Sequence, residues 1–254
     1  DYKNALQFAV KKQDLANVRG MELQYHVGFS EIARIYEKLE EFEKAIKYEM
    51  KYLQISKNMY KNHDEGGRRA AIKRIIDYSF ELLKKNKEVT NLVWIDKAFS
   101  ILNENEDLFN DDSEKISLHD LIATDMIDCR TYYPYWKEAI KHLELCFNLC
   151  KELGLEKINY ARSVAKCYNI LGDFKNYIAW EVIIFNLLQD RELRNFLYAD
   201  KSLREYVWDS DIEDFMDFVR IAYYNPSPET AELAFSVALF IKGLLLNSDV
   251  ALKE

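Results

Sequence analysis

Apolar residues recur at three- and four-residue steps along most of the chain, which is the spacing of one face of an α-helix. The segment from Arg68 to Lys85 shows this pattern, and its predicted buried side carries Ile72, Ile75, Ile76 and Leu83. Similar segments, separated by short polar stretches, follow one another along the sequence. The pattern therefore predicts an all-α protein built from consecutive helices.

The stretch of residues 163–185 predicts two helices joined by a tight corner. Ala165 and Tyr168 lie three residues apart on one face of the first helix. Gly172 is expected to end that helix in the left-handed conformation, and Asp173 is expected to cap the next helix. The apolar stripe of the second helix follows at four-residue steps, at Phe174, Ile178 and Val182.

A large apolar residue followed three positions later by a small one recurs along the chain, and each such pair is predicted to open the second helix of a hairpin. The small residue falls at Ala5, Ala45, Ala98 and Ala139, and Tyr177 stands at the matching place of the hairpin just described. The period is about 40 residues, longer than the ~34 of the simplest tetratricopeptide arrays. Because the first pair lies at the start of the sequence, we expect the chain to begin inside a repeat of a longer protein.

Breakers and caps predict where several of the helices start and stop. One long helix is expected from about Ala16 to Leu39, and the polar run from Lys61 to Gly67 is expected to form a loop. Asp111 and Glu114 are predicted to form a capping box for the helix that follows them.

The repeat pattern is lost after Gln189. Helices without the small-residue template are expected from Arg191 to Tyr206 and from Asp211 to Tyr224, the second with a capping box at Ser210 and Glu213. The chain is therefore divided into a repeat array, residues 1–189, and a C-terminal helical segment, residues 190–254.

The last helix is predicted to start at Pro228, with Ser227 as its N-cap, and to run to about Leu246. Apolar residues occupy most of its surface, which predicts that it is covered on several sides. Part of that cover is expected from a region of the protein that this sequence does not include.

Composition agrees with a folded helical protein. The 254 residues are 49% hydrophobic and 14% aromatic, with seven Gly and three Pro, which favours a sizeable core, long helices and short corners. The net charge of −8 argues against nucleic acid as the main partner. No apolar run reaches the length of a membrane span.

The four cysteines favour a reduced, intracellular setting, which predicts a cytoplasmic protein. Cys146 and Cys150 fall one helical turn apart, where two sulfur atoms share a face more readily than they form a disulfide.

Three stretches raise the possibility of a ligand, and for each a simpler interpretation is favoured. His142, Cys146 and Cys150 offer soft ligands to zinc, but they spread over about 12 Å of one helix, so we expect core cysteines. Asn103, Asn105, Asp107 and Glu114 match positions of a calcium loop, but Leu108 replaces its glycine, so we expect an acidic loop. Gly66 and Gly67 before Arg68 and Arg69 suggest phosphate binding, but a flexible corner with two solvated arginines is favoured. No cofactor, no metal and no catalytic pair are expected.

The hairpin of residues 163–185 resembles a tetratricopeptide repeat through its small Ala165, aromatic Tyr168 and Gly172-Asp173-Phe174 corner. The resemblance implies an α-α superhelical array of helical hairpins, followed here by extra C-terminal helices. Glu49 stands where such hairpins often carry an aromatic residue, and Tyr177 is large where alanine is usual. Both differences favour a divergent relative of the tetratricopeptide repeat over a strict member of that family.

The stretch from Glu232 to Ser248 resembles the helix that joins such arrays to a CHAT domain, a caspase-like protease module. The matching core is Leu-Phe-x-Lys-Gly-Leu-Leu-Leu, with Lys242 and Gly243 at its centre. The catalytic His and Cys of that family lie well inside the CHAT domain, beyond this helix. The resemblance therefore implies that this chain is not an enzyme and that a protease domain is linked to it.

The first helix of each hairpin lines the concave surface of such a superhelix. Four polar residues of one first helix recur at three- and four-residue steps: Asn159, Arg162, Lys166 and Asn169. Arg34 and Lys38 occupy the equivalent face of an earlier hairpin. These side chains are predicted to bind a protein or peptide through charge-assisted hydrogen bonds, and a solvated polar face is the alternative.

The sequence therefore predicts a scaffold that binds a protein or peptide in its concave groove and regulates an attached caspase-like protease. The alternative is the repeat domain of a peptide-pheromone receptor from a bacterial signalling protein. A helical hydrolase is a third, less favoured interpretation, because no residues with the spacing of a nucleophile and its base are found.

Overall fold

The computed structural model describes residues 1–59, 64–86, 92–129, 133–198 and 201–251, and every regular element within these ranges is a helix. The prediction of an all-α protein is thus confirmed. Besides a short 3-10 helix at Glu106–Leu108, the described ranges contain eleven α-helices: α1 (Tyr2–Val18), α2 (Glu22–Lys38), α3 (Phe42–Met59), α4 (Glu65–Asn86), α5 (Leu92–Asn103), α6 (Asp112–Asp128), α7 (Tyr133–Glu152), α8 (Ile158–Ile170), α9 (Phe174–Tyr198), α10 (Lys201–Tyr224) and α11 (Pro228–Ala251).

The chain divides into two compact units, residues 1–149 and 150–254, with the boundary inside α7. In the first unit, each of α1 to α4 packs against the helix that follows it, and α4 also packs against α6. The predicted buried side of α4 is buried as expected, at Ile72, Ile75, Ile76 and Leu83.

The small residues of the repeat pattern differ in their burial. Ala45, Ala98 and Ala139 are buried, as expected for residues that let two helices approach closely. Ala5 is exposed instead, on a helix that packs against α2 in the described part of the unit. The pattern therefore marks helix contacts in the interior of this unit but not at α1.

In the second unit, α8 packs against α9, and α10 and α11 pack against each other and against α9. Four aromatic rings meet at the centre of this arrangement, with centroids 5.4 to 6.3 Å apart: Phe185, Phe215, Phe218 and Phe240. Large rings that meet edge to face bury much apolar surface at once, so this cluster holds the last three helices together.

The corner between α8 and α9 has the predicted geometry. Gly172 has a φ of +71°, a backbone conformation that L side chains rarely adopt. The Asp173 carboxylate accepts a hydrogen bond of 3.2 Å from the backbone N–H of Asn176, which caps α9. Ser227 caps α11 in the same way, through a 3.2 Å bond from the N–H of Thr230 to its hydroxyl.

Three predicted helix boundaries are wrong. The expected helix from Ala16 to Leu39 is divided by Gly20, whose φ of +64° ends α1, and the N–H of Met21 closes the corner on the Ala16 carbonyl at 2.8 Å. Helix α9 continues past Gln189 to Tyr198, and α10 starts at Lys201, so Ser210 and Glu213 do not start a helix. No Gly or Pro lies between residues 189 and 198 to end α9. Residues 199 and 200 lie outside the described part.

The two arginines after Gly66 and Gly67 do not lie on a solvated corner. Helix α4 already begins at Glu65, so both glycines are helical, while residues 60–63 of the predicted loop lie outside the described part. Arg68 is buried. Arg69 is only partly exposed and donates a 3.3 Å hydrogen bond to the Leu108 carbonyl. The first turn of the helix is closed by the N–H of Arg68, which donates a 3.0 Å hydrogen bond to the Asp64 carbonyl.

Helix α11 is less covered than its composition suggests. Leu233, Val237, Phe240 and Leu244 form its buried side, whereas Phe235 is 65% exposed and Leu239 is 54% exposed. The described residues therefore cover α11 on one side only, and further cover from outside this sequence stays a prediction. No described helix combines the length and the apolar character that crossing a membrane requires.

Candidate functional site

Three of the four polar residues predicted on α8 line one groove of the second unit. Arg162, Lys166 and Asn169 follow one another at three- and four-residue steps, so they project from the same face of the helix. Helices α9 and α10 form the other walls of this open groove, whose volume is about 480 Å³. We call this cavity the α8–α10 groove.

The wall formed by α10 is acidic where the wall formed by α8 is basic. Asp214 and Asp217 line the groove, and the Oδ2 atom of Asp214 lies 2.6 Å from Nη2 of Arg162. Arg220, also in the lining, donates a 2.6 Å hydrogen bond to Asp217. The groove thus presents charges of both signs on facing helices, which suits a ligand that carries charges of both signs.

Lys166 and Asn169 are the groove residues of α8 whose polar groups are available. Both are exposed, and neither side chain makes a hydrogen bond or ion pair with another residue in the described part of the chain. An ammonium and an amide one turn apart can together bind a carboxylate or a backbone carbonyl of a ligand. Arg162, by contrast, has to leave Asp214 before it binds a new carboxylate.

The interior wall of the groove contains a carboxyl group with altered acidity. Burial raises the pKa of Glu181 to about 7, although the Tyr177 hydroxyl and the charge of Arg162 favour the ionised form. Tyr177, the residue that departs from the repeat pattern, thus influences the acidity of Glu181. Near neutral pH this carboxyl group exchanges between a hydrogen-bond donor and a negative charge, which changes the charge of the groove by one unit.

The remaining predicted binding residues lie elsewhere. Asn159 is exposed on the first turn of α8 and does not line the groove. Arg34 and Lys38 lie on α2, in the first unit, and both are exposed. Lys38 makes a 2.8 Å ion pair with Glu37 next to it in the sequence.

The acidic residues of α10 are a part of the groove that the sequence did not reveal. Asp214 and Asp217 lie three residues apart, so the spacing alone places them on one face of a helix. The spacing does not predict that this face lies opposite Arg162, which comes 52 residues earlier in the sequence. Charge pairs of opposite sign at such long separations are the signal that could have found the groove.

A second cavity in the same unit is mainly apolar. Phe174, Ile178 and Val182, the predicted stripe of α9, line a space of about 830 Å³ together with Leu233 of α11. Phe174 and Val182 are exposed, so the stripe is only partly covered. The prediction that this stripe forms the packed face of α9 is therefore only partly correct.

The cysteines and the loop residues that were weighed as metal ligands in the sequence have other partners in the structure. All four cysteines are buried thiols, and Cys146 donates a 3.6 Å contact to the Ile116 carbonyl. Glu114 of the calcium pattern forms a 2.9 Å ion pair with Lys73. The Asn105 amide donates to the Ile101 carbonyl at 2.8 Å. Neither side chain is therefore turned to a shared cation.

No model of a protein family matches the sequence, and a search of curated proteins finds no significant match.

Proposed function

We propose that this chain is a helical scaffold that binds a peptide segment of a protein partner in the α8–α10 groove. The observation that carries the proposal is that Arg162, Lys166 and Asn169 line one groove with Asp214 and Asp217 facing them. A groove of about 480 Å³ accommodates a few side chains of an extended peptide rather than a whole domain surface.

The residues that line the groove indicate which side chains a bound peptide carries. Lys166 and Asn169 bind a carboxylate or a backbone carbonyl, and a Lys or Arg side chain of the same peptide replaces Arg220 at Asp217. Tyr224 and Ile221, which also line the groove, supply apolar contact. A peptide with an acidic and a basic residue close together therefore fits best.

We further propose that the bound peptide regulates a caspase-like protease linked to this scaffold in a bacterial cytoplasmic protein. The resemblance of α11 to the helix before a CHAT domain supports this part. Helix α10 connects the groove to α11. Asp214 lines the groove, and the ring of the next residue, Phe215, lies 5.4 Å from the Phe240 ring of α11. Lys242 is exposed two residues beyond Phe240. A peptide that moves α10 thereby moves the start of the Lys242-Gly243 segment.

Peptides selected from a random displayed library against the chain test the binding site. The variant Lys166→Glu is expected to weaken the selected peptides at least about tenfold, because it replaces an attractive charge with a repulsive one. Lys151→Glu is the matched control, since Lys151 is an exposed lysine of α7 that does not line the groove. Equal affinities of the two variants, or no selectable peptide, would contradict the proposal.

The link to a protease is tested separately, by sequencing the reading frame that encodes this chain. A caspase-like domain with its His and Cys encoded after Glu254 would support the link. A stop codon at that point would remove it, and a DNA-binding domain encoded before Asp1 would favour the peptide-pheromone receptor instead.

A further inference from the structure

The imidazole rings of His119 and His142 lie in direct contact in the first unit. Their Nδ1 atoms are 2.6 Å apart, and the ring centroids are 4.8 Å apart with 29° between the planes. His119 comes from α6 and His142 from α7, so the fold joins two residues that the sequence separates by 23 positions. The contact between Cys146 and the Ile116 carbonyl joins the same two helices one turn away.

Both rings line a cavity of about 790 Å³ that lies within the first unit. Its other walls are largely apolar, with Phe99, Leu118 and Leu145 among them. Three carboxylates line the same cavity, those of Asp96, Glu106 and Glu138, and the last two act on the rings. Each of these two acts on one ring, because the charge of Glu106 favours protonation of His119 and the charge of Glu138 favours protonation of His142.

Burial outweighs those carboxylates and keeps the two rings neutral. It lowers the pKa of His119, and together with the charge of His119 it lowers the pKa of His142 to about 4. Two neutral rings hold at most one proton between their Nδ1 atoms, so one of these atoms presents a lone pair to the other. Neutral imidazole is the form that binds transition metals.

We propose that His119 and His142 bind one transition-metal ion through their Nδ1 atoms, at the wall of this cavity. Two imidazole nitrogens at about 2.0–2.1 Å from a tetrahedral ion lie about 3.3 Å apart, so the rings have to separate by only a fraction of an ångström. The proton between them moves to an Nε2 atom, so binding requires no net loss of a proton. Zn²⁺ and Co²⁺ suit imidazole together with oxygen ligands.

The remaining positions of the ion are open to the cavity. The carboxylates of Asp96, Glu106 and Glu138 in the lining are the protein groups from which a third ligand would come, and water supplies the rest. An ion held by two protein ligands is exchangeable, and it leaves room for a small molecule with a carboxylate or hydroxyl group to bind it from the apolar side.

The first experiment titrates the chelator-treated chain with Zn²⁺ and with Co²⁺ in a calorimeter. We expect one ion per chain, with affinity reduced at least about tenfold in His119→Gln and in His142→Gln, since loss of even an outer-shell partner costs 10- to 100-fold. His63→Gln and Cys146→Ser are controls and are expected to bind as the wild type does. Binding that survives His119→Gln but is lost in Cys146→Ser would overturn the proposal and favour a site along α7.

The second experiment uses the wild-type chain, so it does not depend on the folding of a variant. The ring nitrogens of the histidines are followed by ¹H–¹⁵N spectroscopy as Zn²⁺ is added, with assigned resonances. We expect the Nδ1 signals of His119 and His142 to shift together while those of the other two histidines stay in place. No shift of these two signals, or a shift of all four histidines alike, would overturn the proposal.

Discussion

The Oε1 atom of Glu49 lies 2.6 Å from Nε of Arg74, and the carboxylate of Glu49 is 0% exposed. Nη2 of Arg74 lies 3.2 Å from the second carboxylate oxygen, which makes the pair bidentate. The Ser30 hydroxyl donates to Glu49 at 3.2 Å and accepts from Arg74 at 2.9 Å. Three helices, α2, α3 and α4, are thus joined by one polar network.

Loss of the Arg74 charge is expected to be costly. Arg74→Met leaves the Glu49 carboxylate buried without a cation, which lowers the free energy of unfolding by about 3–5 kcal/mol. The double variant Glu49→Leu with Arg74→Met removes both charges and is expected to lie close to the wild type. Urea denaturation followed by circular dichroism measures all three.

Arg69→Met is the control for that series. Arg69 lies on the same helix and is partly exposed, and its contacts to Glu65 and Glu114 are longer, at 3.8 and 3.6 Å. Its loss is expected to cost no more than about 1 kcal/mol. Similar losses for the two arginines would show that the Glu49–Arg74 network does not have the predicted importance.

The contact of Glu49 is one that the sequence alone does not predict. Its charge at a position expected to be aromatic is visible in the sequence, but its partner follows 25 residues later, on another helix. Helix N-caps are easier to predict than such contacts, because the capping side chain binds a backbone N–H within about three residues. Accordingly the predicted N-caps at Asp111, Asp173 and Ser227 are found, whereas the one predicted at Ser210 is wrong because this residue lies inside α10.

The candidate site likewise has features that the sequence predicts and features that it does not. The common face of Arg162, Lys166 and Asn169 follows from helical spacing, and the structure brings these residues to one groove. The facing Asp214 and the contact of His119 with His142 depend on how separate helices pack, which one sequence does not contain. The end of α9 at Tyr198 was also missed, because no Gly or Pro marks it in the sequence, whereas Gly20 did mark the missed end of α1.

Gly67 is expected to tolerate no side chain, unlike its neighbour Gly66. A Cβ atom at Gly67 would collide with the Tyr52 hydroxyl and with the Asp64 carboxylate. That hydroxyl donates a 2.6 Å hydrogen bond to Asp64. Gly67→Ala should therefore separate the two groups and lower the free energy of unfolding by about 2 kcal/mol, the usual loss for a hydrogen bond to a charged group.

Gly66→Ala is the matched control for Gly67→Ala. A Cβ atom at Gly66 meets nothing within 4 Å, and both glycines lie in the first turn of α4. Replacement of a helical glycine by alanine is expected to stabilise the chain by up to about 1 kcal/mol. Thermal denaturation of the two variants should give shifts of opposite sign, and shifts of the same sign would contradict the predicted collision.

Asp125 is expected to make stability depend on pH. The residue is 4% exposed, and one of its carboxyl oxygens has no hydrogen-bond partner among the described residues. Burial raises the pKa of Asp125 to about 7, aided by the charges of Asp77 and Glu81, although Lys84 lies 3.3 Å away. Because the pKa is higher in the folded state, the contribution of Asp125 is fully present below about pH 4 and is lost as the pH rises to about 7.

The variant Asp125→Asn isolates this effect, because it keeps the shape of the side chain and removes its titration. The wild type should lose stability relative to the variant between about pH 4 and pH 7, by at most about 1.4 kcal/mol for each pH unit. Asp77, Glu81, Lys84 and Asp128 surround this position in both proteins, so their titration largely cancels in the difference. Urea midpoints that stay parallel across this range would contradict the shifted pKa.

The ion pair between Arg162 and Asp214 is expected to be weak despite its length of 2.6 Å. The two side chains are 43% and 35% exposed, so water screens the charges and both chains lose rotamer freedom in the pair. A double-mutant cycle with Arg162→Ala and Asp214→Ala should give a coupling of about 0.2–1 kcal/mol at 0.15 M salt, and less at 1 M. A coupling of several kcal/mol, as expected for Glu49 and Arg74, would mean that Asp214 holds Arg162 too firmly for a ligand to displace it. A weak pair, by contrast, lets the carboxylate of a peptide replace Asp214 at little cost, which is what a binding role for Arg162 requires.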